Sequence, residues 1–382
     1  MFDRLIQFAR EQYRTKEFIP LHAPVFGGRE REYVLETVDS TFVSSVGAFV
    51  DRFENDMAAY TGSPRAVATV NGTAALHVAL RLAGVGPGEL VLTQALTFVA
   101  TCNAIAYCGA EPVFVDVDRH TLGLSPGALR RWLEENALIG DDGLCRASAD
   151  GKIVRACVPM HTFGHPADLD ALVAVCAHWN LVLVEDAAES LGSLYHGHHT
   201  GTFGALGMLS FNGNKIITTG GGGMILAGEA LGARAKHLTT TAKKPHPYEY
   251  VHDEVGYNYR LPNINAALGC AQLERLDAFV EAKRVLAGRY ASLFEGSDLR
   301  FVTEPDGCRS NYWLNAVVCE DGAQRDALLE ATNRAGVMTR PIWALMNRLP
   351  AYAHCRKGEM ANAEWLESVV VNLPSSVLPE FL

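Results

Sequence analysis

The 382-residue chain has no Cys-x-x-Cys pair. Its nine cysteines, at 102, 108, 145, 157, 176, 270, 308, 319 and 355, are odd in number and scattered. That pattern suits reduced, buried thiols of a cytoplasmic protein and offers no zinc framework. Positive charge is scarce: the net charge is −10, and no basic run exceeds the pair Lys243-Lys244. Nucleic acid and anionic membrane surfaces are thereby poor partners. No window approaches 18 uncharged apolar residues, so no membrane span is expected. The opening Met1-Phe2-Asp3-Arg4 lacks the apolar stretch of an export signal.

Several chemical signatures are also missing. The glycine run 220–223 does not end in the Gly-Lys-Ser/Thr of a nucleotide-hydrolase loop, and no G-x-G-x-x-G follows the first strand candidate. Nucleotide hydrolysis and hydride transfer lose their support. The histidines of His161-Thr-Phe-Gly-His165 and His196-Gly-His198-His199 do not take the H-E-x-x-H form, so no metal is expected.

What is present is a globular composition, 48% hydrophobic and 20% charged, in a chain long enough for two or three domains. Between about 66 and 227, apolar runs alternate with helical periodicity. Ala66–Val70, Leu90–Thr93, Pro112–Val117, Ile153–Val158 and Leu181–Glu185 read as strands covered on both faces, hence as a parallel sheet. Leu76, Ala79, Leu80 and Ala83 give one apolar stripe to a helix opening at Asn71-Gly72-Thr73, and a second helix is expected over Phe98–Tyr107. The strand-like segments Leu206–Phe211 and Gly223–Ala227 are too close for a crossover helix and should pair antiparallel. After about residue 250, the spacing predicts one long helix with Leu273, Leu276, Phe279 and Val280 on a shared face. A strand over Trp313–Cys319, a helix over Gln324–Ala335 and a loop at Arg340-Pro341-Ile342-Trp343 follow. The expected division is 1–250, an N-terminal arm and large α/β domain, and 251–382, a smaller α+β domain.

Ligands of open α/β sheets sit beyond the carboxyl ends of the strands. Three groups fall there. Asp186 follows a strand, Lys215 lies on the turn after another, and Asn71-Gly72-Thr73 offers a helix N-terminus suited to a phosphate. Taken singly, the aspartate could cap a helix, the lysine could be an ordinary surface residue and the third could be a plain N-cap. Taken together they are what pyridoxal phosphate requires: a Schiff-base lysine, an acid for the ring nitrogen and a cradle for the phosphate.

The sequence resembles the DegT/DnrJ-type family of nucleotide-sugar aminotransferases, which have the fold type I, aspartate aminotransferase-like architecture. The resemblance rests on Asn71-Gly72-Thr73-Ala74-Ala75-Leu76, Thr97-Phe98-Val99-Ala100-Thr101, Glu185-Asp186-Ala187-Ala188, Ser210 through Lys215, and Gly256-Tyr257-Asn258-Tyr259-Arg260. It implies that Lys215 is the catalytic lysine and that Asp186 pairs with the ring nitrogen of pyridoxal 5′-phosphate. Gly72, Thr73 and Ser210 would hold the phosphate, Phe98 would stack on the ring, and Asn258 would reach the cofactor of a neighbouring subunit in a homodimer with shared active sites. Where the family usually carries glutamine to meet the cofactor's phenolic oxygen, this chain has Glu189. An ionised carboxylate would repel a phenolate, so Glu189 is expected to be protonated or held by a partner such as a nearby histidine.

Thr41–Gly47, Pro159–Pro166 and His237–Lys243 resemble the subgroup that serves legionaminic acid and bacillosamine pathways. This implies transfer of an amino group from L-glutamate to C4 of a UDP-linked 4-keto-6-deoxy-N-acetylhexosamine, for bacterial surface glycans, with the GDP-linked sugar as the alternative. A keto-sugar deoxygenase or dehydratase of the same fold goes with histidine in place of the lysine, and Lys215 argues against it. Candidate substrate contacts are His161, Arg340 and Trp343, followed by Lys243 and His246.

Overall fold

The structure, a computed structural model, describes residues 1–381. Seven short apolar strands build its centre: β1 (Arg65–Thr69), β2 (Leu90–Gln94), β3 (Glu111–Val115), β4 (Val154–Val158), β5 (Val182–Asp186), β6 (Leu206–Ser210) and β7 (Gly223–Ala227). Their spatial order is β1-β7-β6-β5-β4-β2-β3. All run parallel except β7, which is antiparallel to both β1 and β6. The close spacing of β6 and β7 thus has the expected consequence, and it brings the chain straight back to the end from which β6 emerged. Helices cover both faces, which is why nearly every strand position is buried.

Helix α1 (Gly72–Leu82) starts where expected, with the Asn71 carboxamide accepting from the Ala74 N–H. It has no single stripe. Gly72 and Ala74 through Leu80 are all buried, because the helix lies between the sheet and neighbouring segments. Helix α2 (Val99–Tyr107) opens at Phe98.

The expected long helix is two helices, α3 (Asn263–Leu273) and α4 (Leu276–Phe294). The break falls at Glu274-Arg275, where Arg275 leaves helical geometry at φ −109° and ψ 0°. There the Glu274 carboxylate accepts from the Tyr33 hydroxyl and the Arg52 guanidinium, both at 2.6 Å, so the helices Glu30–Asp39 and Ala48–Thr61 claim the junction. A small antiparallel sheet follows: β8 (Arg300–Phe301), β9 (Asn315–Val318), β10 (Arg340–Pro341) and β11 (Val370–Leu373), in the order β8-β9-β11-β10. Strand β9 is shorter than expected because Trp313 turns away to donate its backbone N–H to the Asn311 side chain. No helix among the described residues is long and apolar enough to cross a membrane.

Candidate active site

A cavity of about 290 Å³ opens at the carboxyl ends of β1, β5 and β6. Gly72, Thr73, Phe98, Asp186, Glu189, Ser210, Lys215 and Trp343 all line it. Residues far apart in sequence meet there because the parallel strands all end on one side.

The candidate phosphate cradle rests on close backbone approach. In the register of the sheet, Gly223 lies between Thr69 and Ser210. A Cβ on Gly223 would stand 2.6 Å from the Asn71 carbonyl group and 2.7 Å from the Gly72 nitrogen. A Cβ on Gly72 would stand 3.0 Å from that of Ser210. Gly223 packed on the backbone of Asn71 and Gly72, and Gly72 close to Ser210, put the start of α1 on the same wall as Thr73 and Ser210, a donor set suited to an anion.

Asp186 is the last residue of β5 and is 3% exposed. One carboxylate oxygen accepts from the Thr101 hydroxyl at 2.7 Å, and the other from the Ala188 N–H at 3.2 Å. It caps no helix. Burial pushes its pKa up, and Thr101, the Ala188 N–H, Lys215 and His161 pull against that. Thr101 lies on the first turn of α2, the feature of that helix that periodicity does not reveal.

Lys215 stands 12% exposed, its Nζ 3.3 Å from Glu189 Oε1 and 3.9 Å from the centre of the Trp313 ring. The other Glu189 oxygen accepts from the Phe163 N–H at 2.9 Å. Burial pushes the Glu189 carboxyl up to about 7, against the pull of Lys215 and the Phe163 N–H and with a further push from Asp186. The partner of Glu189 is therefore the lysine, not a histidine. Trp313 is fixed at both ends: its indole N–H donates to the Asn214 carbonyl at 2.7 Å, and its own carbonyl accepts from the buried Lys283 at 3.0 Å. In the sequence Trp313 looks only like a strand residue, and its place in the wall depends on the turn ahead of β9.

The remaining candidates lie elsewhere. His161 is fully buried behind β5, with Nε2 3.0 Å from Glu185 and Nδ1 accepting from the Ala167 N–H at 3.1 Å. Both ring nitrogens are occupied, so none faces a sugar. Glu185 also accepts from the N–H groups of Gly201, Phe203 and Gly204, and these donors with His161 outweigh burial and hold its pKa below the usual carboxylate range. Arg340 is exposed in β10, away from the cavity, whereas Trp343 packs against Phe163 with the ring centres 5.3 Å apart and the planes tilted by 44°, and forms part of the wall. Lys243 and His246 sit in an exposed segment, Lys243 over the Tyr250 ring and His246 beside Glu249. Asn258 is exposed and accepts from Arg260 at 3.1 Å, outside its own subunit's cavity.

The match to the DegT/DnrJ/EryC1/StrS aminotransferase family spans residues 25–378. The chain belongs to this family. The aminotransferase is 39% identical over 336 residues to EpsN of Bacillus subtilis, covering 87% of this chain and 84% of EpsN. It is 37% identical over 363 residues to the GDP-perosamine synthase of Caulobacter vibrioides, covering 94% and 93% of the two chains. Its fold matches the aminotransferase TlmJ of Streptoalloteichus hindustanus with a TM-score of 0.84 at 30% identity, covering 94% and 93%. It is a fold type I sugar aminotransferase that depends on pyridoxal 5′-phosphate.

The residues present fit that cofactor. The start of α1, with the Thr73 and Ser210 side chains on the same cavity wall, suits a phosphate, and Phe98, 51% exposed, offers a flat π-face. A buried acid and a lysine complete the set of groups that the ring and its carbonyl carbon need.

Proposed function

We propose that this chain transfers the amino group of L-glutamate to C4 of UDP-2-acetamido-2,6-dideoxy-4-keto-hexose. The observation that carries the proposal is the meeting of Lys215, Asp186 and the α1 N-terminus in one strand-end cavity. When bound, the cofactor supplies a ring that accepts the electron pair left as a substrate C–H bond breaks. Asp186 keeps a proton on the ring nitrogen, and Lys215 carries the substrate proton between carbons. Gly72, Thr73 and Ser210 hold the phosphate. Phe98, Trp313 and Trp343 supply the aromatic part of the wall around the reacting atoms.

The likeness of Thr41–Gly47, Pro159–Pro166 and His237–Lys243 to the legionaminic acid and bacillosamine subgroup supports the UDP-linked N-acetyl sugar. A GDP-linked 4-keto sugar is the second reading, favoured by the similarity to GDP-perosamine synthase. A cytoplasmic homodimer with shared sites completes the proposal. Asn258 is exposed and does not line its own cavity, and Leu35, Val38, Phe42, Val46, Tyr248 and Val255 leave apolar surface uncovered.

The test is a visible-absorbance titration. The loaded protein should lose its band on addition of L-glutamate and recover it with one keto-sugar, UDP- or GDP-linked, with the amino sugar identified by mass spectrometry. Lys215→Ala should abolish the band. A wild-type protein that forms no band with pyridoxal phosphate would overturn the assignment.

A further inference from the structure

Glu189 is set up for more than holding a cofactor. It lies 3% exposed in the wall of the cavity, and its two oxygens are committed differently. Oε2 is fixed as an acceptor of the Phe163 N–H at 2.9 Å, which orients the carboxyl group and leaves Oε1 3.3 Å from Lys215 Nζ. This is the arrangement of an amine, a base and a group that orients the base. The neighbouring Asp186 is placed otherwise: each of its oxygens already has a donor, from Thr101 and Ala188. Of the two buried acids in the cavity, Glu189 is the one with an oxygen free to exchange a proton with the lysine.

We propose that Glu189 is the proton acceptor and donor for Lys215 during turnover. The inference rests on the aminotransferase reading of the site and adds a second catalytic group to it. The Nζ–H bond breaks with its electron pair staying on nitrogen, and an Oε1–H bond forms. Ammonium and carboxylate become amine and carboxylic acid with no change of net charge, and no outside base takes part. Lysine must lose this proton before it can attack a carbonyl carbon or take a proton from a substrate carbon. A glutamine side chain at this position has no basic oxygen to accept it. A base works best with a pKa near the working pH, and burial brings Glu189 to about 7. The charged and titratable groups around the Glu189–Lys215 pair are Asp186, His161 behind it, and His22 with Lys283 nearby; the ring nitrogens of His22 are covered and unpartnered. Burial, with Lys283 and Lys215 nearby, holds His22 neutral, so it does not compete for the proton.

The experiment compares wild type, Glu189→Gln and Glu189→Asp in two measurements. The first is infrared titration of the cofactor-free full chain, reading the C=O stretch of protonated carboxyl groups. A band that titrates near neutrality should be present in wild type and absent in Glu189→Gln. The second is the pH dependence of single-turnover bleaching of the loaded enzyme by L-glutamate. Wild type should show an acidic limb near neutrality. Glu189→Gln, which keeps the shape and the Phe163 contact, should lose that limb and slow by about 100-fold, and Glu189→Asp should restore the limb. The proposal is overturned if Glu189→Gln bleaches within about threefold of wild type with the limb in place, or if the infrared titration is the same in both. Absence of any bleaching in wild type would instead overturn the reading of the site, and the infrared titration tests the pair without it.

Discussion

Replacing Gly223 by alanine tests whether the proposed phosphate cradle depends on backbone contact. The added methyl carbon would lie 2.6 Å from the Asn71 carbonyl carbon and oxygen and 2.7 Å from the Gly72 nitrogen. Carbon contacts settle at about 3.5–4.0 Å, so the start of α1 and the first residue of β7 must separate by roughly 1 Å. No side chain can yield, since the atoms met are all backbone. Overpacking of this kind costs about 1–3 kcal/mol, and a displacement of about 1 Å at a binding site costs on the order of 100-fold in rate. The cofactor-free chain should therefore unfold at lower denaturant by about 1–3 kcal/mol, and the cofactor should dissociate more readily by equilibrium dialysis. Gly228→Ala is the control, because its Cβ would meet nothing within 4 Å and its φ of −65° suits any residue. If Gly223→Ala matches this control in both stability and cofactor affinity, the cradle is not built by close approach.

Other outcomes follow from other parts of the fold. Leu76→Ala, at a fully buried position of α1, should cost about 2–5 kcal/mol in chemical unfolding. Lys283 is wholly buried, donates to the carbonyls of Trp313 and Ser375, and is pushed down to about 7 by burial. Above that pH the unfolded chain binds more protons than the native one at this site. Its contribution to stability should thus rise as pH climbs from about 7 towards the ordinary lysine range, by no more than about 1.4 kcal/mol per unit. Denaturant curves at several pH values should show this slope in wild type and not in Lys283→Met. Asp186→Asn keeps the Thr101 hydroxyl as a partner and removes the charge; loaded enzyme should bleach with glutamate about 100-fold more slowly, measured by stopped flow.

Most of the central sheet was legible because its strands are apolar throughout and its helices begin with turn and cap residues. The antiparallel return of β7 followed from distance alone: the turn after β6 is too short for a crossover. Asp186 and Lys215 stand out in the sequence because both fall at strand ends, and the fold brings both into the cavity wall. Tertiary contacts decided the rest. The break between α3 and α4 depends on Tyr33 and Arg52, more than two hundred residues upstream of Glu274. His161 belongs to Glu185 because a neighbouring strand, not a neighbouring residue, supplies its partner. No spacing rule points to Trp313 or to Lys283 behind it, since a buried lysine looks like any other in a helix. Strands of two residues, such as β8 and β10, carry too few positions to show a period.

The place of β7 also bears on how the molecule comes to be made. Thr69 and Gly223 are side by side in the finished sheet, yet the chain must travel through every other strand of that sheet before they can meet. Pairings so distant in sequence are slow to form, because the loop they close is long. The anion cradle and the lysine turn both adjoin β7, so neither exists until that last insertion is complete. Capture of the cofactor during refolding should accordingly lag behind the recovery of secondary structure, and appearance of the visible band would time the closing of the sheet.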